Sequence, residues 1–216
     1  MTAKRILYSY YRSSAAYRVR AALNLKGLEA EQVPVHLRLN EQQSEAYLAH
    51  NPQGLVPWFQ DGQIAFGQSL AIIEYLEEAY PTPALLPKDT SLRAYAREIA
   101  YIIACDIHPI GNLRVLKKLA ADYTETAEGQ AAWNRHWIKA GFVAIESRLA
   151  QTAGTFAIGD APGVADLCIV PQLYNARRFG VDLAPYPRLV AVDAAARALP
   201  AFIAAAPENQ PDFVEG

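Results

Sequence analysis

Read as alternating hydrophobic and polar positions, the chain opens with a short apolar run, Ile6 to Tyr10, that predicts a strand. A polar break at Arg12 to Ser14 follows. Ala15 to Lys26 is then rich in Ala, Leu and Arg and ends at Gly27, which predicts a helix with a glycine C-cap. Val33, Val35 and Leu37 alternate with Gln32, Pro34 and His36, a period-two strand whose proline suits a sheet edge. A weaker helix over 41–50 stops at Asn51-Pro52. Val56 to Gln60, the turn pair Asp61-Gly62 and Gln63 to Phe66 predict a hairpin. Ser69 opens a further helix with Leu70, Ile73, Leu76 and Tyr80 on one face.

This order, βαβ, a connecting helix and then ββα, is that of a thioredoxin-like domain over residues 1–80. Pro81, Pro83 and Pro87 make 81–88 a linker. From Asp89 on no strand pattern remains, and 89–216 reads as an all-α domain with helices near 90–107, 109–123, 126–151, 164–179 and 187–199, and a short one after Pro200. The tail from Pro207 is expected to be partly without order.

Composition narrows the function class. The 216 residues are 52% hydrophobic and 19% charged, ordinary for a packed domain and unlike a disordered or fibrous chain. Twenty basic against 22 acidic residues leave no basic stripe for a nucleic acid. The longest apolar runs fall far short of the roughly 18 residues of a membrane span, and the N-terminus has no signal-peptide core, so a cytoplasmic protein with no membrane partner is expected. Cys105 and Cys168 sit in apolar helical surroundings without CxxC or His/Cys clustering and read as core thiols, and no metal site is expected.

Thioredoxin-like redox proteins carry a CxxC at the start of the first helix, where unpaired N–H groups and the helix dipole favour a thiolate. Here that place reads Arg12-Ser13-Ser14-Ala15. Without a thiol of its own, this helix start can hold a thiolate brought by a ligand, with glutathione the obvious candidate; the alternative is that Ser13 and Ser14 only cap the helix. Pro57, if cis, turns the Val56 main chain outward toward an extended peptide; the alternative is a structural trans proline. Gln68-Ser69 gathers an amide, a hydroxyl and helix N–H groups where a carboxylate can bind, or serves as an ordinary N-cap. Together the three suit one small anionic peptide.

The run Ser13-Ser14-Ala15-Ala16-Tyr17-Arg18-Val19-Arg20 resembles the Ser-Ser-Cys-x-Trp/His-Arg-Val-Arg motif of the zeta-class glutathione transferases. Asn51-Pro52 through Val56-Pro57, Gln68 to Leu76, Asp106 to Pro109, Asn112 to Leu116, and Ala165 to Gln172 extend the resemblance over about Ile6 to Asp212. It implies the glutathione transferase fold and a glutathione-dependent cis–trans isomerisation of a maleyl diketo acid, maleylacetoacetate or maleylpyruvate, to its fumaryl isomer in aromatic catabolism. Carried over by position, the glutathione contacts are Ser13, Ser14, Gln43, Val56, Pro57, Gln68, Ser69, His108 and Asn112, with Ser13, Ser14 and Arg12 in catalytic roles. His108 has the alternative of a satisfied polar residue at a helix break before Pro109. A homodimer is implied by the resemblance alone.

A small dicarboxylate substrate calls for planar, permanently charged donors, which means arginine. The candidates are Arg12, Arg114 and the pair Arg177-Arg178; adjacent residues point about 100° apart on a helix, so at most one of the pair faces the site, and the resemblance favours Arg178 over a solvated surface pair. In the implied reaction a glutathione thiolate adds to the cis alkene, rotation follows and the thiolate leaves unconsumed. The chain departs from the family pattern in two places: Ala15 replaces Cys, which argues against reductive dehalogenation, and is followed by Ala16-Tyr17 in place of Ser-Trp or Ser-His, and Gly163 replaces a Thr or Ser helix cap. A transferase acting on small electrophiles such as α-halo acids, and a non-catalytic glutathione-binding protein, are the competing readings.

Overall fold

The computed structural model describes residues 4–215, which fall into two compact units. One runs to Leu85 and takes back the chain from Ala198; the other spans Leu86–Arg197.

The first unit is built on a four-stranded sheet of β1 (Arg5–Ser9), β2 (Glu31–Pro34), β3 (Trp58–Asp61) and β4 (Ile64–Gly67), in the order β2-β1-β3-β4. β1 and β2 are parallel, and the other two pairings are antiparallel. The expected edge strand is at the edge, where Pro34 has no ladder bond to lose on its outer side. It ends sooner than the alternation suggested, because the His36 ring accepts from the Leu39 N–H and starts a helical turn over Leu37–Leu39. α1 (Ser14–Leu25) connects the parallel pair. Its end closes as a Schellman motif, with Gly27 at φ +64, its N–H on the Asn24 carbonyl and the Leu28 N–H on that of Leu23. The helix expected over 41–50 is a turn over Glu41–Gln43 followed by α2 (Glu45–His50), because the Ser44 hydroxyl caps a new start by accepting from Tyr47 N.

α3 (Ser69–Ala79) completes the unit. Leu7 and Phe59 are fully buried in its core, while Tyr8 and Trp58, which alternate with them, pack with Tyr10, Tyr47 and Val56 on the opposite face of the sheet. The Pro-rich stretch read as a linker is held down. Lys26, its side chain fully buried, donates to Glu77 Oε2 and to the carbonyls of Tyr80 and Pro83, and Leu85 N donates to the same Glu77 oxygen.

The second unit is helical: α4 (Thr90–Tyr101), a π-helical stretch Ile102–Ile107, α5 (Leu113–Tyr123), α6 (Ala127–Thr152), α7 (Val164–Arg178) and α8 (Pro187–Arg197). The helix expected over 109–123 begins four residues late, because the residues after His108 form a turn and Asn112 supplies the cap. Asp166 Oδ2 accepts from Gly163 N and Oδ1 from Ala157 N, so half of the capping box survives the loss of a hydroxyl at Gly163.

Two expectations need correction. The domain expected over 89–216 stops at Arg197, because α9 (Pro200–Ala205) packs on α1: Tyr17 donates to Phe202 O and the buried Arg20 to Ala205 O. The tail expected to lack order is fastened by buried Gln210, which donates to Ala204 O and Ala206 O, and by Asp212, which accepts from Tyr11 N. No helix among the described residues is long and apolar enough to cross a membrane.

Candidate active site

The register Tyr8–Trp58–Gly67 brings three features to one end of the sheet: the segment leading out of β1, the segment leading into β3 and the segment leaving β4. Ser13 is the N-cap of α1, its hydroxyl accepting from Ala16 N at 3.2 Å. Ser14 is the first helical residue and is buried. The N–H groups of this first turn point out of the helix start, where the macrodipole favours negative charge. Val56-Pro57 is cis, as the sequence reading required of it, and Val56 lies outside the ladder, which begins at Trp58. Gln43 is attached to the same segment through Nε2 on the Gly54 carbonyl.

Gln68 occupies the N-cap of α3 with φ +71 and ψ 110, a conformation that side chains other than glycine rarely adopt, and its amide donates to Gln53 Oε1 at 2.8 Å. Such a backbone costs of order 1–3 kcal/mol, and conformations of this kind cluster at active sites and ligand clamps. Ser69 is therefore the first residue inside α3 and not its cap. Its hydroxyl accepts from Arg18 Nη1 at 3.2 Å, a buried bond between two helix segments 51 residues apart. Arg18 and Arg20 are almost completely buried. Arg20 donates to Ser9 Oγ and to the carbonyls of Tyr10, Tyr11 and Ala205, which fixes the chain just before Arg12. Burial brings the Arg20 pKa down to about 10, still charged at neutral pH. Sequence reasoning passed over this pair; the signal was two arginines two residues apart inside an otherwise apolar helix. Arg12 is half-buried, its guanidinium carbon 5.7 Å from the centre of the Tyr11 ring.

The other predicted residues belong to the second unit. His108 ends the π-helical stretch, with its N–H on the Ile103 carbonyl at 2.9 Å. Asn112 caps α5 by accepting from Arg114 N at 3.1 Å, and Arg114 is exposed in the first turn. Of the arginine pair, Arg177 binds the buried Asp193 at 2.5 Å, and Arg197 binds the same oxygen. Arg178 lies over the Phe179 ring at 4.5 Å. Cys168 is buried as expected, but Cys105 is exposed. The π-helical stretch adds a residue to the turn and so rotates the apolar stripe, which carries Cys105 and Asp106 outward between the buried Ile103 and Ile107.

These features define a class. A mixed sheet with a cis proline before its third strand and an anion-favouring helix start, joined in sequence to an all-helical unit, is the glutathione S-transferase arrangement, and residues 7–84 match the family model "Glutathione S-transferase, N-terminal domain". The chain is 49% identical to a probable maleylacetoacetate isomerase of Vibrio cholerae over 96% of its own length and 97% of that protein. It is likewise 49% identical to a maleylpyruvate isomerase of Ralstonia sp, covering 95% of this chain and 98% of the relative. Among solved structures, the holo form of a maleylpyruvate isomerase, described as a bacterial zeta-class glutathione S-transferase, aligns with TM-score 0.95 at 48% identity over 97% of this chain and all of that one. A maleylacetoacetate isomerase from Anaeromyxobacter dehalogenans with glutathione bound in its active site aligns with TM-score 0.89 at 44% identity, covering 99% of this chain and all of that one. The chain belongs to the zeta-class family of maleylacetoacetate and maleylpyruvate isomerases.

Proposed function

We propose that this protein is a glutathione-dependent isomerase that converts a maleyl diketo acid into its fumaryl isomer, acting as a cytoplasmic homodimer. The observation that carries the reading is the convergence, at one end of the sheet, of the Ser13 helix start, the Val56 main chain outside the ladder and the Gln68-Ser69 segment. That donor set fits glutathione: an anionic sulfur at the α1 start, a peptide main chain along Val56 and a carboxylate at the strained start of α3. Bound glutathione supplies the thiolate whose reversible addition makes the cis double bond rotatable.

The chain's own residues bind and orient. Ser13 and Ser14 hold the sulfur as an anion; Gln68 and Ser69, the latter fixed by Arg18, hold the carboxylate end, and Gln43, His108 and Asn112 are further contacts. Arg12, Arg114 and Arg178 are assigned to the two carboxylates and to the charge that develops on the conjugated carbonyl, a duty suited to permanently charged fork donors. Arg177 binds Asp193, and of the pair it is Arg178 that the family resemblance favours for this role. Among the described residues no group of three or more His, Cys, Asp and Glu side chains is placed to hold a metal ion.

The test follows ultraviolet absorbance of maleylpyruvate, and of maleylacetone as the analogue of maleylacetoacetate, with and without glutathione. Isomerisation that needs glutathione is the expected result, and the two rates rank the acids. Conversion without glutathione, or none of either acid with glutathione bound, would overturn the reading; turnover only of an α-halo acid, consuming glutathione, would replace it with a transferase.

A further inference from the structure

We propose that α6 is the positioning element of the isomerase site, with Trp133, Asn134 and Arg135 jointly setting the places of the turn after His108 and of the C-terminal end of α7; the inference rests on the functional reading above. The turn between His108 and Asn112 lies outside regular helix, and Pro109 has no N–H to stabilise it. Besides its own bond from Asn112 N to the Pro109 carbonyl at 3.4 Å, the turn is held from α6. Trp133 Nε1 donates to the Ile110 carbonyl at 2.8 Å. The buried Asn134, fixed by its own bond to Gln130 O, lies so close to Gly111 that a Cβ there would come within 2.3 Å of its Oδ1. Two turns further on, a Cβ on Gly141 would meet Ile107 Cδ1 at 2.3 Å, so the last residue of the π-helical stretch rests on bare α6 backbone. Arg135, which also pairs with Glu128, donates Nη1 to the Phe179 carbonyl, directly after Arg178.

One short stretch of α6 thus grips both segments that carry the second unit's assigned residues: His108, Asn112 and Arg114 on one side and Arg178 on the other. Loosening either segment displaces the donors assigned to the acid's carboxylates, and such charged fork contacts depend on exact placement, so the grip sets substrate affinity and is not only packing. None of the four α6 residues need touch substrate.

Trp133→Phe keeps a ring and removes the N–H; Gly111→Ala pushes the turn off Asn134. In each, KM for maleylpyruvate is expected to rise about tenfold, the equivalent of roughly 1.4 kcal/mol, with kcat changed less than about threefold. Ile145→Val, a buried change in the same helix, gives the stability loss without the KM shift. If Trp133→Phe does not fold, Arg135→Gln reads the other arm, and the same rise in KM is expected. Wild-type KM in folded variants overturns this inference alone. A wild-type protein without glutathione-dependent isomerisation overturns the functional reading, and this inference with it.

Discussion

The Ser13 hydroxyl caps α1, and in the proposed reaction it also holds the glutathione sulfur. Ser13→Ala is expected to lower stability by about 1 kcal/mol, the worth of an N-cap, and to lower kcat/KM roughly 100-fold, the usual cost of one donor to a reacting anion; thermal unfolding and steady-state kinetics separate the two. At Gln68, with φ +71, glycine would adopt the backbone without strain. Gln68→Gly should raise the unfolding free energy by up to about 1 kcal/mol while weakening glutathione several-fold, read by calorimetric titration; a more stable variant with wild-type glutathione affinity would remove Gln68 from the site. Ala15→Cys restores the family's residue and is expected to leave isomerase kcat/KM within about threefold, since the sulfur required is glutathione's. The residue types of these positions were legible in the chain, and the spacing placed them at helix starts. The Gln68 backbone and the Arg18–Ser69 bond were not, because one is a conformation imposed by the fold and the other joins positions 51 residues apart.

At the scale of elements, the alternation of apolar and polar positions located all four strands and the main helices, and it failed where a local polar group redirected the chain: at His36, Ser44 and Asn112. The π-helical stretch Ile102–Ile107 left no mark in the pattern, and that is why Cys105 was placed in the core. Asp166 shows how an element end carries pH dependence. Burial pushes its carboxyl up to about 6, against the N–H groups of Ala157 and Gly163 that favour the charged form. Because the folded pKa lies above the ordinary 3.8, the folded state takes up this proton first as pH falls; the group's contribution to stability is complete below the ordinary value and is lost as pH rises through 6. Asp166→Asn removes one acceptor, so urea unfolding at pH 5 should show a loss of about 1–3 kcal/mol. The gap between wild type and variant is expected to narrow at pH 7.5, and a gap that widened there would contradict the assignment.

For the whole molecule, the two-unit division was legible because the strand pattern ends abruptly near the prolines, but the return of the last residues to the first unit was not. Nothing local in Pro207 to Glu215 announces that Gln210 will be buried or that Asp212 will accept from Tyr11 N. Ending the chain after Ala206 should cost about 1–3 kcal/mol in stability through these lost bonds, measured by denaturant unfolding; an unchanged midpoint would mean that the tail is not held in solution. The central claim, that glutathione acts here as a returning cofactor, is tested most directly by proton NMR of maleylpyruvate with enzyme and one-tenth of an equivalent of glutathione. Complete conversion to the fumaryl isomer with glutathione recovered unchanged is the predicted result; conversion that stopped at one-tenth, with glutathione consumed, would contradict it.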